Sequence, residues 1–189
     1  MMRLLLVCTG VLSMFCWTAW PDVVITELHY NPPDDHLESG AFREFIELYN
    51  PETSRIDLSG YYFDDGIRFT FPEETWIEAG SYLVLAKDPS PQYWRNKPFH
   101  LMGPYDGYLA DGGERLTLNH PDGVIVETFQ YSDEPPWPRA ADGYGFSLER
   151  IAWHLPAADH HSWRSSFQSE GTPGARNSVH AIPPFPLIQ

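Results

Sequence analysis

Residues 112–131, GGERLTLNHPDGVIVETFQY, constrain the fold more than any other stretch, because they fit a β-hairpin and little else. Residues 115–118 alternate polar and apolar side chains, and residues 124–131 form a second run rich in β-branched and aromatic residues. Between them lies Asn119-His120-Pro121-Asp122-Gly123. Pro121 fixes the φ of the corner and Gly123 can take the positive φ that such a turn demands.

The remaining strands are read against that hairpin. Residues 23–30, VVITELHY, are stopped by Asn31-Pro32-Pro33, which cannot continue a ladder. Residues 44–49, EFIELY, put Glu44, Ile46 and Leu48 on one face and Phe45, Glu47 and Tyr49 on the other, so both faces are partly apolar, as in a central strand. Residues 56–63 hold two strand pieces around Leu58-Ser59-Gly60, and residues 67–71 follow the turn Asp64-Asp65-Gly66. Residues 81–86, SYLVLA, are the most continuously apolar and are expected at the centre of a sheet. Residues 88–100 hold three prolines around one short helical turn at Gln92-Tyr93-Trp94-Arg95. Residues 103–113 read as a loop, 144–151 as a final strand and 156–174 as irregular chain. Apolar residues nowhere recur at helical spacing over a long window, so no long helix is expected. About eight short strands separated by Gly, Pro and Asp turns predict an all-β sandwich.

The 189 residues suffice for one such domain and one core. Met1-Met2-Arg3, the apolar residues 4–15 and then Cys16-Trp17-Thr18-Ala19 have the charged start, short apolar run and small-residue end of a secretory signal peptide. Cleavage is expected near Ala19, with an uncleaved anchor as the alternative, although the run is shorter than the roughly 20 residues of a membrane span. Bulky Met14-Phe15 before Cys16 disfavour a lipid-attachment site. Both cysteines, Cys8 and Cys16, fall inside this segment, so the exported chain has neither a disulfide framework nor a cysteine nucleophile. The net charge of −14 becomes one unit more negative once Arg3 is lost. Such a surface repels phosphate backbones and anionic lipid, so no nucleic-acid or peripheral membrane partner is expected.

The chain resembles a lamin-tail domain of the kind found in secreted bacterial proteins. The residues that carry the resemblance are Val24-Ile25-Thr26-Glu27-Leu28-His29-Tyr30-Asn31-Pro32, Glu44-Phe45-Ile46-Glu47-Leu48-Tyr49-Asn50, Ile56-Asp57-Leu58-Ser59-Gly60-Tyr61, Tyr82-Leu83-Val84-Leu85-Ala86 and the hairpin. The tail is similar to bacterial members too, in residues 142–149, Trp163-Arg164 and Gly171-Thr172-Pro173-Gly174-Ala175-Arg176-Asn177. The resemblance implies an immunoglobulin-like β-sandwich with an irregular C-terminal extension, acting as an accessory or interaction module without catalytic residues. The expected organisation is a signal peptide at 1–20, the sandwich at 21–131, an extension packing on it at 132–178 and a tail at 179–189. The expected partner is a protein or polysaccharide at the cell surface, met by a monomer; the alternatives are a metal-assisted hydrolase and a spacer domain of a larger surface protein.

Several constellations could carry chemistry. Glu27, Glu44 and Glu47 could converge if their strands pair, and carboxylates that share a site raise one another's pKa and can hold a metal. Asp34, Asp35, Glu38, Asp64, Asp65, Asp106 and Asp111 lie in loops, where Ca²⁺ wants six to eight oxygens, but none has a known calcium-loop spacing. No cofactor is expected, with Ca²⁺ as the alternative. His154, Asp159, His160 and His161 contain zinc-ligand types, yet the side chains of adjacent His160 and His161 are expected to diverge. Ser147 follows Gly145, but Glu149 stands where the G-x-S-x-G elbow needs its second glycine. Tyr93 and Trp94 are the expected exposed aromatic anchor of a binding face.

Overall fold

The computed structural model describes residues 22–34, 39–90, 92–95 and 97–180. The expected signal peptide, Asp35, Glu38 and residues 181–189 lie outside them. Among the described residues twelve strands run in chain order as β1 (Val24–His29), β2 (Phe45–Tyr49), β3 (Ile56–Asp57), β4 (Tyr62–Asp65), β5 (Phe69–Thr70), β6 (Trp76–Ile77), β7 (Tyr82–Ala86), β8 (His100–Met102), β9 (Arg115–Asn119), β10 (Ile125–Gln130), β11 (Phe146–Arg150) and β12 (Trp163–Ser169). One sheet has the order β12-β11-β1-β2-β7-β8 and a second the order β10-β9-β4-β5, with β3 and β6 paired at the side. This is an all-β, immunoglobulin-like sandwich.

Strand alternation builds its core. Ile46 lies opposite Leu28 on one side and Leu85 on the other, and Leu28 also faces Leu148, so one face of the large sheet is a continuous apolar surface. Against it pack Phe63, Leu116, Leu118 and Phe129 of the smaller sheet. Burying each such side chain stabilises by about 1.5–3 kcal/mol. The hairpin forms as its turn residues dictate: Gly123 has φ +86° and β9 pairs with β10. Trp163 is fully buried, stacks on Phe129 with ring centroids 5.1 Å apart and donates its indole N–H to Ala157 O.

Two expectations change. Residues 81–86 are not central: β7 is next to the edge, between β2 and the parallel strand β8. Its unbroken apolar run reflects cover on both faces, since Leu83 and Leu85 enter the core while Val84 and Ala86 pack with Phe45 and Trp94 on the other side. Residues 156–174 are not wholly irregular, because β12 forms there as an edge strand. Trp76–Ile77 and His100–Met102 also form β6 and β8, too short to leave a period in the sequence.

Candidate functional site

On its outer face the large sheet carries a row of carboxylates. Glu27 lies directly opposite Glu47 on one neighbouring strand and Glu149 on the other, and all three are 0% exposed. The expected trio is therefore only partly assembled: Glu27 and Glu47 meet, Glu149 joins them, and Glu44 does not. Glu44 is three positions from Glu47, which in extended chain sends it to the opposite face. There it accepts hydrogen bonds from Tyr105 Oη at 3.0 Å and Leu109 N at 2.8 Å.

Residues 171–179 run across the carboxylate row as a strap. Thr172 N donates to Glu27 Oε1 at 2.9 Å, and Gly174 N donates to Glu47 Oε2 at 2.7 Å. Ser178 Oγ and Val179 N both donate to Glu149 Oε2, at 2.7 and 3.0 Å. Thr26 Oγ1 donates to Glu47 Oε1 at 2.7 Å. Thr172 Oγ1 sits 2.7 Å from Glu149 Oε1 and 3.4 Å from Glu27 Oε2. One hydroxyl proton cannot serve both carboxylates. The shorter contact takes it, leaving an oxygen lone pair that a protonated Glu27 can meet as donor. Burial, and next the Glu149 charge, push Glu27 up to about 8, and burial with the Glu27 charge raises Glu47 well above the usual range.

All six oxygens of the row are thus engaged by Thr26 or by the strap, and a substrate has no route to them. The carboxylates act as a clasp for the C-terminal segment. The strap must approach closely to reach them. At Gly171, with φ +73°, an added Cβ would lie 1.9 Å from Glu27 Oε1 and 2.5 Å from Ser147 Oγ. Gly171→Ala is expected to cost about 2 kcal/mol through backbone strain and displacement of Glu27, read as a lower thermal midpoint.

Beyond the clasp the same face opens into a cleft of about 540 Å³, lined among others by Tyr49, Tyr82, Trp153, Arg176, Asn177 and His180. Tyr49 and Tyr82 are opposite one another on β2 and β7, with ring centroids 4.7 Å apart. Asn177 donates through Nδ2 to Thr26 O and Arg150 O, at 2.8 and 2.9 Å. That fixes its amide, yet its buried Oδ1 accepts no hydrogen bond. Arg176 is exposed at the rim. Sequence reading missed this cleft, because its walls come from strand ends and the strap.

The other expected sites are placed as follows. Trp94 is not an exposed anchor: it is 2% exposed and packs on Phe45 and Phe99, while Tyr93 is half-buried with Lys97 Nζ 4.7 Å from its ring centroid. His160 and His161 do not diverge. Their rings lie 3.8 Å apart on a 3-10 turn that Asp159 caps by accepting from His161 N. Asp159, His160 and His161 bring three ligand-type atoms within 4.8 Å on this solvent-facing turn, one short of a closed tetrahedral zinc site. His154 lies instead against Trp153. Among the loop aspartates, Asp64 accepts from Asn119 Nδ2, Asp65 pairs with Arg115 and the Asp106 backbone bridges to Arg68.

A model of the Lamin Tail Domain family matches residues 18–133. The chain belongs to that family. No curated protein matches it. In this lamin tail domain the matched span takes in β1 to β10, so the large sheet is completed by strands from beyond it. Glu149, the strap and about half of the cleft wall lie in that later part, with Thr26, Tyr49, Gly80 and Tyr82 as the match's contribution to the wall. The immunoglobulin-like fold of the family is in general non-catalytic.

Proposed function

We propose that this lamin tail domain is a secreted, non-catalytic interaction module, and that the cleft beside the strap binds a neutral polysaccharide at the cell surface. The carrying observation is the pairing of ring faces with fixed polar groups. Tyr49, Tyr82 and Trp153 offer flat apolar surfaces for the C–H faces of sugar rings, Asn177 Oδ1 needs a donor that a hydroxyl supplies, and Arg176 offers donors to sugar oxygens. Export is supported by the charged, apolar and small-residue succession of the first 19 residues.

Affinity electrophoresis of the exported chain through gels cast with neutral polysaccharides tests this reading. Retardation by at least one of them is expected, and Trp153→Ala is expected to weaken it about tenfold, the scale of an aromatic anchor at the centre of an interface. Retardation by none, or retardation unchanged in Trp153→Ala and Tyr82→Ala, would overturn it.

A further inference from the structure

A second cavity, of about 350 Å³, lies where the chain leaves β1, with Tyr30, Asp34, Glu44 and Asp111 among its lining. Its chemistry is one-sided. Glu44 is 3% exposed, and its Oε2 takes both hydrogen bonds, from Tyr105 and Leu109, while Oε1 takes none. Asp34 Oδ1 accepts from Ser39 Oγ and Gly40 N at the rim. Asp142, close by, accepts from Asn31 Nδ2. Among the described residues no lysine, arginine or histidine makes an ion pair with any of these carboxylates.

A second observation is independent of the acidic groups. Tyr30 is 1% exposed, its ring is held 4.8 Å from that of Tyr131, and its hydroxyl has no hydrogen-bond partner. A buried hydroxyl left unmade costs about 1–3 kcal/mol, so a group entering the cavity to meet it recovers that cost. No basic side chain lines the cavity, and the Lys87 charge that reaches Glu44 from outside it is outweighed by burial, which raises Glu44 to about 7; burial with the Asp142 charge raises Asp111.

The spacing selects among cations. Nowhere but at Asp159, His160 and His161 do three described His, Asp or Glu residues bring ligand atoms within 4.8 Å of one another, so these carboxylates are too spread to close on one bare ion. A guanidinium carries five N–H donors in a rigid plane and reaches acceptors that a point charge cannot. We infer that this cavity takes a guanidinium group, the end of an arginine side chain presented by a protein partner, with donors on Glu44 Oε1, Asp111 and Tyr30 Oη. The net charge of −14 would steer such a basic partner inward.

Titration of the exported chain, followed by NMR at constant ionic strength, tests the inference with three probes: N-acetyl-arginine amide, N-acetyl-lysine amide and CaCl₂. The arginine probe is expected to saturate in the millimolar range, about tenfold more tightly than the lysine probe. Asp111→Asn, at an exposed position that leaves the core intact, is expected to weaken it about tenfold, and Tyr30→Phe a few-fold, with the thermal midpoint of Asp111→Asn unchanged. A response that does not saturate, equal affinity for lysine and arginine, displacement of the arginine probe by a lower concentration of Ca²⁺, or indifference to Asp111→Asn would each overturn it.

Discussion

Arg150→Ala is expected to cost about 3–5 kcal/mol of unfolding free energy, the loss that follows when one half of a buried ion pair is left alone. Arg150 is 4% exposed and its Nη1 donates to Glu127 Oε1 at 2.8 Å and to Ile25 O at 3.0 Å. Its Nε donates to Leu155 O at 2.9 Å. Glu127 in turn accepts from Ile25 N at 2.7 Å. The pair joins β10 of the smaller sheet to β11 and β1 of the larger one, so it fastens the two layers together. Burial already raises Glu127 against the pull of Arg150. Without the guanidinium that carboxylate would have to take up a proton or draw water into the sandwich. Urea unfolding of Arg150→Ala and of the double replacement Arg150→Met with Glu127→Leu separates the two contributions. The double variant is expected to recover only part of the loss, because it removes the unpaired charge but still leaves Ile25 N, Ile25 O and Leu155 O without the hydrogen bonds that the pair supplies. A single variant within about 1 kcal/mol of the native chain would show that the layers are held by the apolar core alone.

How much of this was legible in the sequence varies with the range of the interaction that decides it. The hairpin was legible because Pro121 and Gly123 act on their own backbone. So was the division of EFIELY, since the two-residue period already put Glu44 with Ile46 and Leu48, and Glu47 with Phe45 and Tyr49. That same period rules out joining Glu44 to Glu47 at one site. Glu149 was not found because its place beside Glu27 depends on β11 docking against a strand 122 positions earlier. A signal was nevertheless present. VITELH, FIELY and FSLER each set one glutamate beside a leucine within a strand, and the later GTPGARN supplies small residues whose backbone amides can come close. Trp94 was misplaced for a related reason: its cover is the outer sheet face made by Phe45, Val84 and Ala86, and nothing in its own neighbourhood reports that face. Strand β12, WRSSFQS, was missed because an edge strand with half its residues near solvent keeps no clean alternation.

Acidification from about pH 8.5 to about pH 6.5 is expected to stabilise the protein, by about 2 kcal/mol from Glu27 alone. The folded state holds the Glu27 proton up to about 8, whereas the unfolded chain releases it near the ordinary value of 4.5. Between those values the folded state binds more protons, so stability falls as pH rises and the contribution is fully present only below the unfolded pKa. Glu47, raised in the same way, and Glu44, raised to about 7, add slope of the same sign. His29 opposes them over a lower range. Burial, and next the Arg43 charge, hold it down at about 3, so below about 6.5 the unfolded chain takes up a proton that the folded one refuses. The clean window therefore lies above the ordinary histidine pKa. Glu27→Gln isolates the clasp within it: the amide oxygen can still accept from Thr172 N, and the amide N–H can take the position of the acid proton toward Thr172 Oγ1. The variant is expected to match the native chain near pH 6.5 and to exceed its thermal midpoint near pH 8.5, where native Glu27 is charged within a row that also holds Glu47 and Glu149. A native chain that grows more stable on raising the pH across this window, or a Glu27→Gln variant with the native slope, would mean that the strap amides outweigh burial and keep Glu27 ionised.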